Sequence, residues 1–198
     1  MKKFQSESLI IAFCRAYRFP LNVKSTVMQL HRFIQKEIAL DEVHMVYLAL
    51  FLGIKIEEIQ DSMLDKLEIF FVSKMNRKEL FEKEVLLAGK LDYNFVFENV
   101  YVKAYGLMVR LSESNLIEIK TGDFETVEKM IDKALCTNYS SIQDVVLFGV
   151  AKYYKLNWEK MCDEYGGVLD NLNAIDTEYN TINLLSKEEC LMPETPEK

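Results

Sequence analysis

Lys55 and Glu84 stand at the edges of apolar stretches, where a charge can do more than solvate a surface. Lys55 directly follows ten apolar residues, Met45 to Ile54, and Glu84 falls at helical spacing with Leu80, Leu87 and Leu91. An ammonium offers three donors, and a carboxylate is a pure acceptor. If the two carrier helices pack side by side, the pair lies within an apolar patch, a common form of protein interface. Taken as residues alone, both also fit ordinary surface charges, whose pairing contributes only about 0–1 kcal/mol.

Signatures of catalysis are missing. Apart from Gly166-Gly167, no two of the seven glycines lie closer than sixteen residues, so neither type of phosphate-cradling glycine loop can be built. The two histidines, His31 and His44, fall on separate predicted helices and read as core or solvent residues, not as parts of a triad or metal site. Glu57-Glu58 and Glu188-Glu189 read as exposed acids of a loop and a tail. Cys14, Cys136, Cys162 and Cys190 are widely spaced without a Cys-x-x-Cys, which suggests reduced intracellular thiols and no zinc site. We therefore expect no enzyme, no cofactor and no metal.

The charge of -7 is unevenly placed: residues 1–162 hold 22 basic and 22 acidic side chains, and residues 163–198 hold 2 and 9. A neutral body without a basic stripe argues against direct nucleic-acid binding, because phosphate neutralisation supplies most non-specific affinity. The ten-residue apolar run is well short of the ~20 residues that span a bilayer. The first residues, Met1 to Glu7, carry no small-residue cleavage site, so no secretory signal is expected.

The elements that must position Lys55 and Glu84 are helices. The three prolines, Pro20, Pro193 and Pro196, leave 21–192 free of the strongest helix breaker. Leu9, Ile10, Phe13, Ala16 and Tyr17 follow helical spacing up to Pro20. Asn22 is placed to cap a second helix, with its stripe at Val23, Val27, Leu30 and Ile34. Asp41 and Glu42 begin the third helix, where acids suit the helix dipole. With no polar side, that helix must be central, and Ala49 and Gly53 let neighbours approach it closely. A short helix over 62–72 follows, and Asn76-Arg77-Lys78-Glu79 resembles a capping box opening a fifth helix to Leu91.

A second set of five is predicted over 96–112, 123–135, 145–154 after the cap at Ser141, 157–165 closed by Gly166-Gly167, and 168–185. The third helix of each set carries an apolar run with an inner glycine, Gly53 and Gly149. We read residues 1–95 and 96–185 as tandem domains joined by the packed linker Tyr93 to Phe97, and 186–198 as a short acidic disordered tail. Trp158 reads as a half-buried packing residue.

Arg32-Phe33, the run Ala49-x-x-x-Gly53-Ile54-Lys55-Ile56-Glu57-Glu58-Ile59, and Glu82-Lys83-Glu84-x-Leu86-Leu87-x-x-x-Leu91-Asp92-Tyr93 together resemble the cyclin box. Glu98-Asn99-Val100-Tyr101 makes the chain most similar to the cyclin H type among the transcriptional cyclins. The first helix lacks the tryptophan with which cell-cycle cyclins build a substrate-docking groove, which also favours the transcriptional side. The resemblance implies an all-α fold of two tandem five-helix cyclin-box repeats.

It further implies a nuclear regulatory subunit that binds and activates a cyclin-dependent kinase catalytic subunit, with room for a third assembly subunit. On this basis Lys55 and Glu84 face the kinase's regulatory helix, and Ile56 and Tyr93 supply apolar contact. The competing expectation is a cyclin-fold general transcription factor module that binds nucleic acid or other transcription proteins. Such a module should be basic, and this chain has a pI of about 5.0.

Overall fold

Residues 6–59, 61–71 and 75–186 are described by a computed structural model, and among them the chain is all-α without a strand. It divides into two compact units, one running to Phe97 and rejoined by the chain from Leu185, the other Glu98–Leu184. Among the described residues each unit holds five helices. The predicted tail lies outside the described residues except for Ser186.

In the first unit the helices are α1 (Ser6–Ala16), α2 (Leu21–Glu37), α3 (Glu42–Ile56), α4 (Asp61–Phe70) and α5 (Arg77–Lys90). Asp41 begins α3 by accepting hydrogen bonds from the Val43 and His44 amides, satisfying donors that the first turn leaves orphaned. Asn76 caps α5 through the Glu79 amide. The apolar run then makes α3 the centre: it packs against α1, α2, α4 and α5, and Leu48, Ala49, Leu50 and Ile54 have no exposed surface. Gly53 sets how closely α2 comes, because a Cβ there would stand 2.3 Å from Val27 Cγ2.

Asn22 does not cap α2. Helix α2 starts at Leu21, one residue earlier, with Pro20 at the cap position, and the Asn22 amide instead donates to Glu57 at the far end of α3. The chain returns at Leu185, whose amide donates to the Ser8 hydroxyl at 2.8 Å.

The second unit repeats the plan with α6 (Val100–Glu113), α7 (Asp123–Ala134), α8 (Ile142–Tyr154), α9 (Trp158–Tyr165) and α10 (Leu169–Tyr179). Helix α8 is central, packing on α6, α7, α9 and α10. Gly149 is its counterpart of Gly53, since a Cβ there would lie 2.8 Å from Ile131 Cγ1 of α7. Ser141 caps α8 as expected from sequence, whereas Asn157, expected as the first residue of its helix, is instead the cap of α9. Trp158 is half-buried against Phe148, with ring centroids 5.8 Å apart.

Two boundaries differ from the sequence-based expectation. Helix α6 begins at Val100, not at residue 96, because Asn99 takes the Tyr101 and Val102 amides as its cap, leaving Val96 86% exposed. Helix α10 stops at Tyr179, not at residue 185. There the Asn180 amide and Thr181 hydroxyl donate to the Asp176 and Glu178 carbonyls, a side-chain alternative that ends the helical ladder.

His31 on α2 is a core histidine: it is fully buried, its Nδ1 lies 3.8 Å from Glu7 Oε1, and neither ring nitrogen has a hydrogen-bond partner among the described residues. Burial pushes its pKa below the ordinary value, with Arg32 acting in the same sense and the Glu7 and Glu42 carboxylates opposing it. The unfolded chain therefore takes up a proton below about pH 6.5 that the folded chain does not. Stability should be unaffected by His31 above that pH and fall as pH drops toward the folded-state value. Urea unfolding at pH 7.5 and 5.5 checks this, with His31→Leu expected to lose less stability than wild type. Equal losses would contradict it. His44, by contrast, is partly exposed and bonded to Asp41.

Candidate functional site

The last turn of α3 delivers Lys55 and Ile56. It closes with Ile59 N–H donating to the Ile54 carbonyl and Glu58 N–H to that of Lys55, each at 3.1 Å, around Glu58 in the left-handed region at φ 51°. The end of α5 repeats the motif: Asp92 N–H donates to Gly89 O at 3.1 Å and Tyr93 N–H to Ala88 O at 2.9 Å. Asp92 and Tyr93 are both left-handed, at φ 50° and 57°. For a ring-bearing residue this backbone is uncommon, and it returns Tyr93 toward the face that carries Lys55.

These two helix ends bring together the four residues singled out from sequence. Lys55, Ile56, Glu84 and Tyr93 line one open groove, with Leu52 and Ala88 buried at its base and Phe81, Val85 and Phe95 completing it. The Lys55 ammonium donates to Glu84 Oε1 and lies 5.3 Å from the centroid of the Phe51 ring, within cation–π range. Both side chains stay part-exposed, at 42% and 30%. One donor is therefore committed to Glu84, and both side chains keep surface open to solvent.

Exposed apolar side chains rim the pair: Phe81 is 65% exposed, Val85 48% and Tyr93 72%. Carbon surface of this size beside a fixed ion pair suits a protein partner better than a small polar ligand. Phe81 and Val85 are not evident from the Leu80, Leu87 and Leu91 face on which Glu84 was placed. In the structure Leu80 and Leu87 are buried, and Glu84 also belongs to a second stripe at helical spacing, with Phe81, Val85 and Ala88, that lines the groove. Polar neighbours at Glu82 and Lys83 mask this stripe in the sequence.

The second unit has a similar bridge in a different setting. Lys152 of α8 donates to Asp176 of α10, but the ammonium is flanked by Phe148 at 5.3 Å and Tyr179 at 5.0 Å. Among the described residues no helix is long and apolar enough to cross a membrane.

No family model matches the chain, and no curated protein matches it by sequence. Among solved structures, a chain of the CAK complex from Chaetomium thermophilum bound to ATP-gamma-S is similar, with a TM-score of 0.59 and 16% identity. The match covers 94% of this chain and 63% of that one, so this protein spans less than two-thirds of the neighbour's length. At that identity the likeness is one of fold. Together with the two five-helix units, it defines an all-α, cyclin-like fold.

Proposed function

We propose that this chain is the regulatory subunit of a cyclin-dependent kinase, binding the catalytic subunit through the Lys55–Glu84 groove and biasing it toward its active arrangement. The observation that carries this reading is the ion pair held in an open apolar groove whose rim residues remain exposed. Residues Ile56 and Tyr93 supply apolar contact beside the pair. The fold likeness to a chain of a CAK complex supports the same reading. In its finer form the reading is a non-catalytic, nuclear, transcription-linked subunit of the cyclin H type, with a third assembly subunit as a further partner.

Affinity purification followed by mass spectrometry of the co-purifying chains tests it. A cyclin-dependent kinase should be recovered, and adding the purified chain to that kinase should raise phosphoryl transfer. Salt-sensitive retention on DNA with no kinase recovered would instead favour the transcription-factor reading.

A further inference from the structure

Glu57 follows the groove residues Lys55 and Ile56 and contributes nothing to the groove lining. Its side chain turns back to α2, where one carboxylate oxygen accepts from Asn22 and the other from the buried Thr26 hydroxyl. Both donors are on the first turns of α2, which has no side-chain cap of its own. The tie therefore joins the start of α2 to the end of α3.

That end is held against a conformational preference. Glu58 is left-handed without being glycine, a conformation disfavoured by roughly 1–2 kcal/mol for an L-residue. A helix end in that state frays unless neighbouring structure over-determines it. The Glu57 side chain supplies such a restraint next to the two residues whose placement the groove needs.

We propose that Glu57 is a positioning residue, fixing the last turn of α3 on α2 so that Lys55 and Ile56 are preset for the partner. This deepens the kinase-binding reading and rests on it for its function, but the local ordering can be measured without any kinase. A supporting side chain of this kind restricts a site more than it stabilises a fold.

The test uses the full chain with Glu57→Ala and, separately, the paired change Asn22→Ala with Thr26→Ala. Amide hydrogen exchange at residues 55–59 should quicken about tenfold in both, while residues 46–52 keep their protection. Affinity for a purified cyclin-dependent kinase catalytic subunit should fall about tenfold in both. Unchanged exchange at 55–59 overturns the proposal, as does loss of protection throughout α2 and α3. Weakened kinase binding in Glu57→Ala but not in the paired variant also overturns it, because Glu57 would then touch the partner directly. If Lys55→Ala leaves kinase affinity intact, the kinase-binding reading fails, and the exchange data still decide whether Glu57 orders the turn.

Discussion

Lys55→Ala and Glu84→Ala are each expected to weaken binding of the kinase catalytic subunit by ~2–5 kcal/mol, the range for truncating one partner of a charge pair that binding desolvates. In the free protein the two side chains are 42% and 30% exposed, so water screens them and their mutual attraction is worth at most about 1 kcal/mol. Melting temperatures of the single variants should therefore stay close to wild type. Once a partner covers Phe81, Val85 and Tyr93, the groove is dry, and a lone ammonium or carboxylate left in it has lost its hydration without a replacement.

The double variant Lys55→Met with Glu84→Leu leaves no orphan charge and should cost less than the two single losses combined. Lys152→Ala serves as an internal control, since that ammonium lies between the Phe148 and Tyr179 rings; kinase affinity should not change. Titration calorimetry beside thermal melts measures both quantities. Full affinity in the single variants, or a large drop in their melting temperature, would remove the groove from the proposed function.

Local pattern carried much of this fold. Asn76 and Ser141 were legible as caps, and Asp41 as a helix start, because their signal lies within three residues and needs no tertiary partner. The centrality of α3 was legible too, since a helix without a polar side has nowhere to go but inward. What escaped sequence reasoning depended on distant partners. Asn22 has a good capping side chain, yet Glu57, thirty-five residues on, takes its amide. Leu185 bonds to Ser8 across 177 residues, which no periodicity announces.

The candidate groove was legible in its charges and hidden in its rim. Lys55 stood out because it ends an apolar run and Glu84 because it shares a face with Leu80, Leu87 and Leu91, while the cyclin-box resemblance supplied Ile56 and Tyr93. Phe81 and Val85 did not stand out, because exposed apolar residues are common and only their convergence on one groove gives them meaning. Tyr93 reaches that groove through two successive left-handed residues, a backbone choice that propensity does not foretell.

Ala49→Trp and Gly53→Leu are expected to unfold the first unit. Ala49 has no exposed surface, and Gly53, one turn later on the same face of α3, has Val27 Cγ2 only 2.3 Å from where a Cβ would stand. The Val27 Cα lies 3.5 Å from that point, in ordinary contact, so relief must come from the Val27 side chain or from a shift of α2. Even Gly53→Ala should cost about 1–3 kcal/mol, the usual range for overpacking a close helix–helix seam. A branched or aromatic side chain must push α2 away along its length, and its cost should exceed that range. Against a typical stability of about 5–15 kcal/mol, this removes most of the margin. Gly149→Ala should destabilise the second unit in the same way, since its Cβ would meet Ile131 Cγ1 at 2.8 Å. Gly89 provides the contrast: it lies within α5 with nothing within 4 Å of an added Cβ, so Gly89→Ala should stabilise by about 0.5–1 kcal/mol through lower chain entropy in the unfolded state. Urea unfolding of the three alanine variants, with solubility of the two bulky ones, reads all of this. If Gly53→Ala matched Gly89→Ala in stability, the α2–α3 seam would be looser than its geometry indicates.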